Sequence, residues 1–173
     1  MKYFILALTA WFLSVFAVAV MPHIRLLGTT PDLVLVLACC WAVMRSEEES
    51  LVGIPIIAVI RDLVSSDPVG TSLLAMAPVV LMAAAARQRP IESAFLPVLA
   101  VVAASSLVFA IVHAMILSVT GQPIDAGYLL LRVAIPAAVV NALFTPIIYL
   151  PVRWLSPSRP SVLYGSGRLT SPL

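Results

Sequence analysis

The feature that most limits what this chain can fold into is that its apolar residues come in blocks. Tyr3–Met21 and Ala94–Val119 each run without one Asp, Glu, Lys or Arg. Neither carries a polar face at helical spacing, so each predicts a helix that is hydrophobic all round, with lipid or protein on every side. The whole chain is 62% hydrophobic and 10% charged, with a mean hydropathy of +1.10. A soluble domain carries roughly a quarter charged residues. So little polar surface cannot cover a water-facing globule, and the chain reads as an all-α integral membrane protein with several spans.

Charge and cysteine usage exclude other classes. The net charge is +2, and no basic run interleaved with aromatics exists, so nucleic acid is not a partner. Cys39 and Cys40 are adjacent in an apolar segment, where helical side chains diverge by about 100°. They cannot chelate a metal together, and a vicinal disulfide would be strained. They read as small residues facing lipid or other helices. Lys2, the apolar run and Ala17-Val18-Ala19 imitate a cleavable signal peptide. The run exceeds the usual core of about 7–15 residues and more apolar blocks follow, so it reads as a retained first span.

Six helices are expected, at about 3–21, 31–44, 47–64, 68–86, 94–119 and 127–155, forming one transmembrane domain over 1–155. The tail 156–173, rich in Ser, Pro and Gly, reads as disordered and cytoplasmic. Thr30-Pro31-Asp32 predicts a helix start with Thr30 as cap and Pro31 in the first helical position. The helix that follows, ~14 residues at 1.5 Å each, covers only about 21 Å of a ~30 Å core. It is either sunk among its neighbours or half of a re-entrant hairpin. Ser46 and Glu49 have capping-box spacing, which starts the third helix near Glu47. Asp67-Pro68 repeats the cap-plus-proline signal before the fourth helix, where Pro78 predicts a kink, and Pro136 and Pro146 predict breaks in the sixth.

Lysine and arginine set the orientation. With the N-terminus inside, Lys2, Arg45, Arg87, Arg89, Arg153, Arg159 and Arg168 fall on the cytoplasmic side, and Arg25, Arg61 and Arg132 on the other. This predicts both termini in the cytoplasm. The outer half then collects Arg25, Asp32, Arg61, Asp62, Asp67, Asp125 and Arg132, with His113 nearby.

Asp32, Asp67 and Asp125 read as helix caps at the interface. Arg61 suits a helix C-terminus, whereas Asp62 sits at the wrong end of the dipole. Asp62 therefore needs a partner, either an arginine or the backbone donors that open the fourth helix. The readings are a structural tie between two spans or a contact to a ligand or partner. His113 shares a face with Ser106, Phe109 and Ala110, which predicts an interhelical hydrogen bond, and Asn141 reads as interhelical glue. No H-E-x-x-H, G-x-S-x-G, phosphate loop or Cys/His metal cluster is present. Ser65-Ser66 has no local His or Lys to activate it. The chain reads as a non-enzyme with no cofactor or metal.

"TPDLVLVLACCWAVMR" (Thr30–Arg45), then Gly53, then "RDLVSSDPVGTSLLAM" (Arg61–Met76) resembles the signature half of the MreD family of rod-shape-determining membrane proteins. Pro31, Asp32, Asp62, Pro68 and Gly70 fall on the family's Pro-Asp opening, its Asp-Leu turn and its Ser-Pro-x-Gly helix start, with Asp67 where the family has a small residue. The resemblance implies a scaffold of the cell-elongation machinery in the bacterial inner membrane, needed for cell shape and lateral peptidoglycan synthesis. It implies a single-span MreC-like partner, the RodA polymerase with its transpeptidase, and indirectly the MreB filament. It also implies a six-helix bundle similar to the substrate-binding subunits of energy-coupling-factor vitamin transporters. Acting as such a subunit is the alternative function, and Ala10 and Ser14 are the one pair of small residues on the first span available for transporter docking. On the first reading, Pro31, Asp32, Arg61, Asp62, Asp67, Pro68 and Gly70 form an outer surface that binds the partner.

Overall fold

The computed structural model describes residues 1–24, 26–65, 68–88, 95–119 and 126–155. Arg25, Asp67, Asp125 and the tail 156–173 lie outside the described residues. Every regular element among the described residues is helical. They are α1 (Lys2–Ala19), α2 (Leu33–Met44), α3 (Glu47–Val64), α4 (Thr71–Arg87), α5 (Phe95–Val119), α6 (Ala126–Tyr128) and α7 (Ile135–Leu155). A 3₁₀ turn, Met21–His23, follows α1. A π-helical stretch, Leu129–Ala134, joins α6 to α7, so these three segments run on as a sixth rod.

The hub of the bundle is α2. Leu33 to Val43 are all buried, and α2 packs on α1, α3, α4, α5 and α7. This explains both its length and its composition. Its 12 residues span only about 18 Å, but a helix wrapped by protein does not have to reach across lipid. Cys39 and Cys40 are fully buried and free, facing other helices. Among the described residues, three helical stretches are long and apolar enough to cross a bilayer: Lys2–His23, Phe95–Ile116 and Leu129–Trp154. Leu33–Met44 and Thr71–Arg87 are apolar but shorter.

Three local expectations need correction. The cap of α2 is Asp32, whose side chain accepts from Leu35 N–H; Thr30 and Pro31 precede the helix. The start of α4 is at Thr71 with Gly70 as cap, three residues beyond Pro68. The sixth rod is not broken at its prolines: α7 continues through Pro146 and Pro151, and Pro136 lies just after the π-helical stretch. A proline ring crowds the carbonyl four residues earlier, here that of Arg132, and the wider π turn gives it room.

Close packing of α3 on α2 depends on Gly53. A methyl group there would sit 2.3 Å from Trp41 Nε1 and 2.8 Å from its Cδ1. The indole lies over the glycine and donates to the Glu49 carbonyl at 3.2 Å. Ser46 caps α3 by accepting from Glu49 N–H, as its spacing implied.

Candidate functional site

Polar groups gather at the N-terminal end of α2. The first N–H groups of a helix have no partner inside it, and at a buried end water cannot supply one. Asp32 Oδ1 accepts from Leu35 N–H at 3.0 Å, and Asp32 N–H donates to Asn141 Oδ1 at 2.7 Å. Asp32 Oδ2 accepts from Arg61 Nη1 at 2.6 Å. Asn141 Nδ2 donates to Ser106 Oγ at 2.9 Å, and Ser106 Oγ donates to the Val102 carbonyl. One connected network thus joins α2, α3, α5 and α7. The Arg61 guanidinium also lies 4.6 Å from the centre of the Phe109 ring, a cation–π contact that fixes its plane. The two ion-pair side chains are only 19% and 22% exposed, so water screens them less than a surface pair.

The neighbouring residue plays a separate part. Asp62 is 3% exposed and accepts from Gly70 N–H at 2.6 Å and from Ser72 N–H at 3.0 Å. The carboxylate at the wrong end of its own helix is at the right end of the next one, where it answers the orphan donors and positive dipole of α4. Of the two partners left open by the sequence, it takes the backbone donors. Gly70 has φ +99°, a left-handed conformation that a side chain would strain.

Beside the network is a cavity of about 480 Å³. Pro31, Asp32 and Arg61 line it, with Asn141, His113 and Ser14. The face of α5 read from the sequence, Ser106, Phe109, Ala110 and His113, forms one wall, and His113 stacks on Phe109 at 5.5 Å. The structure therefore divides the expected site in two. Pro31, Asp32 and Arg61 belong to the cavity, and Asp62 and Gly70 belong to the elbow from α3 into α4, along with Pro68, whose carbonyl accepts from Thr71 N–H. Asp67 is outside the described residues.

Sequence reasoning missed two features. Ser14 was read only as a small residue, yet it is 3% exposed and its hydroxyl has no hydrogen-bond partner among the described residues. Arg87, read only as a loop charge, reaches from α4 to the Ala42 carbonyl at the C-terminal end of α2. No local pattern announces either one. At that end Glu49 pairs with Lys2 at 2.5 Å and with Arg45 at 3.6 Å, and Arg45 lies over Trp41. A second cavity, of about 290 Å³, lies there between α1 and α7.

The arrangement is built for holding: the Arg61 charge is paired with Asp32, and the Asp62 carboxylate answers the backbone donors of Gly70 and Ser72. Among the described residues no three His, Cys, Asp or Glu side chains group as a metal site. A family model described as rod shape-determining protein MreD matches residues 1–158. No curated protein matches the chain, and no solved structure does.

Proposed function

The chain belongs to the MreD family of rod-shape-determining membrane proteins, and from that premise we propose that it works by docking a single-span MreC-like partner at the elbow between α3 and α4. On this reading it is a non-enzymatic scaffold in the bacterial inner membrane, with six spans, both termini cytoplasmic and the elbow facing the periplasm. Through the partner it serves lateral peptidoglycan synthesis by the RodA polymerase and its transpeptidase, and is coupled indirectly to the MreB filament.

The observation that carries the proposal is the Asp62 clasp. A buried carboxylate tied to two backbone N–H groups fastens the end of α3 to the start of α4, so the exposed residues on these two ends are held relative to each other before any partner arrives. Those residues are apolar: Leu63 is 70% exposed, Val69 75% and Leu74 61%. Preorganisation lowers the entropy lost on docking. The charged residues thus hold the surface in place, and the apolar ones make the contact. The test is copurification of the partner with Val69→Asp and Leu63→Asp variants. At least a fivefold loss is expected at unchanged protein level, together with rounded cells. Normal binding by both variants would put the interface elsewhere.

One observation favours the alternative, a substrate-binding subunit of an energy-coupling-factor vitamin transporter: the cavity is large enough for a small ligand. Against it, Ala10 and Ser14, the pair available for transporter docking, are buried inside the bundle. A vitamin copurifying with the protein from cells of normal shape would reverse this order.

A further inference from the structure

We propose that the cavity at the N-terminal end of α2 is an aqueous vestibule, open at the end of the bundle away from Lys2 and Glu49, which brings water to the Asp32–Arg61 pair near the middle of the membrane. The inference takes the three long apolar stretches as spans and does not depend on partner docking.

The depth follows from helix geometry. Lys2, Arg45 and Val152 line the second cavity and so mark one level, and Phe95 meets Tyr149 edge-on close to it. At 1.5 Å per residue, Ser14 lies about 18 Å from Lys2 and Asp32 about 20 Å from Arg45. Asn141 lies about 17 Å from Val152, and Ser106 about 17 Å from Phe95. Four helices thus bring the network to one depth, just past the middle of a ~30 Å core. The apolar stretches agree. Ser106 and Asn141 stand at the midpoints of Phe95–Ile116 and Leu129–Trp154, and Ser14 stands close to that of Lys2–His23.

The cavity lies beyond that level. From a floor of Asp32, Arg61 and Asn141 its walls run to Met21, Ser65 and Leu129, each farther than the network from Lys2 and Arg45. Helices α1, α3, α5 and the sixth rod surround it, so its length runs along the helices and its mouth is at their far ends. The floor selects the filling. Asp32 and Arg61 both line the cavity, and their side chains are 22% and 19% exposed. Charged atoms at this depth are tolerated beside a water-filled cavity and are unfavourable against hydrocarbon. A volume of about 480 Å³ holds many waters, and Thr30, Ser65 and Asn141 add polar groups to the lining. Helix α1 makes no contact with α7 among the described residues, so hydrocarbon entering by the seam between them is the competing occupant. The vestibule leaves a hydrophobic barrier about as thick as α2 is long, about 18 Å. Small polar solutes from that side reach the ion pair by the same route.

The test is the reactivity of single added cysteines, in the full chain in sealed membrane vesicles, towards a trimethylammonium thiosulfonate, which reacts in water and does not enter hydrocarbon. The wild type, whose Cys39 and Cys40 are fully buried, gives the baseline. Ala137→Cys lies on the cavity wall, and Val139→Cys lies on the outer surface of the same rod, where Val139 is 54% exposed. Ala110→Cys and Ile111→Cys, the latter position 41% exposed, repeat the comparison on α5 and decide it if the first pair does not fold. The wall cysteine is expected to react at least tenfold faster than its more exposed neighbour. It should do so from the side of the membrane opposite to Glu48→Cys, at the exposed start of α3, whichever way the chain is inserted. Equally slow reaction at wall and surface overturns the proposal and gives the cavity to hydrocarbon. Equally fast reaction overturns it by placing that level outside the membrane, and labelling from the same side as Glu48→Cys overturns the direction of the mouth.

Discussion

The two ends of α2 solve one problem in opposite ways. Each is a helix terminus packed among other helices, with backbone groups that the helix itself cannot satisfy. At the C-terminal end the partners are mostly local. Ser50 Oγ donates to the Ala42 carbonyl, and Trp41 donates to Glu49, both across eight residues. At the N-terminal end the partners come from afar: Arg61 lies 29 residues away and Asn141 lies 109 away. The first end closes as soon as α2 and α3 form a hairpin. The second closes only when α3, α5 and α7 are all in place, and there the larger cavity remains. A bundle built this way has one end set by local sequence and one end that registers how its spans are assembled.

The sharpest way to break that contrast is at Asp62, beside the long-range end. Asp62→Ala removes two charge-assisted bonds and leaves the buried Ser72 N–H and the half-buried Gly70 N–H without their acceptor. At about 1.5–3 kcal/mol per such bond, less some relaxation, the expected loss is about 3–4 kcal/mol, read as reversible unfolding in mixed detergent micelles. Asp62→Asn keeps one acceptor and should lose about half as much. An unchanged midpoint for the alanine variant would mean that α4 starts without this clasp.

Next comes Arg61→Met, which keeps the packing on Phe109 but strands the Asp32 carboxylate. Removing one partner of a fully buried pair costs about 3–5 kcal/mol. Here each side chain is about a fifth exposed, so about 2 kcal/mol is expected. Pairing Arg61→Met with Asp32→Asn should restore part of it, because the stranded charge is then gone. Additive losses in the double variant would show that the two side chains act independently and that the long-range network is not one unit.

These residues also show what could be read in advance. The apolar blocks specified helical rods because a chain in lipid must satisfy its backbone within each segment. Ser46 announced its cap because its partner is three residues away. Asp32 was legible as a cap for the same reason, although the chain enters the helix two residues later than the Thr30-Pro31 pattern implied. Asp62 could be narrowed only to an arginine or the α4 backbone, since both lay within reach and only three-dimensional packing chooses. The Arg61–Asp32 pair, the Asp32–Asn141 bond and the orphaned hydroxyl of Ser14 were invisible. Each depends on which face of α1, α3 or α7 turns inward, and helices apolar all round carry no stripe to reveal it. The same lack of a stripe hid the seam between α1 and α7.

At the C-terminal end the largest effect should come from Arg87, which reaches there from α4. Its contact to the Ala42 carbonyl supplements Ser50 Oγ, which already donates to that oxygen at 3.2 Å. Arg87 Nη1 also reaches the Arg45 carbonyl at 3.4 Å and Ser50 Oγ at 3.5 Å, both long. Arg87→Ala should cost about 1 kcal/mol, because a second donor to the Ala42 carbonyl is left behind. A loss as large as that of Arg61→Met would make both ends of α2 equally dependent on distant helices, and the contrast would fail.

The smallest effect is expected at Lys2. Its ammonium lies 2.5 Å from Glu49 Oε1, across 47 residues of sequence, and would make the C-terminal end long-range too if it mattered. Its side chain is 47% exposed, however, so solvent and salt screen the attraction, and ordering a long side chain offsets much of the gain. Glu49 also keeps Arg45 within 3.6 Å as a second cation. Lys2→Ala should leave the unfolding midpoint unchanged within error, in low salt as well as high. A midpoint that falls in low salt and recovers as salt is added would show that α1 helps to close this end, and that neither terminus of α2 is a purely local structure.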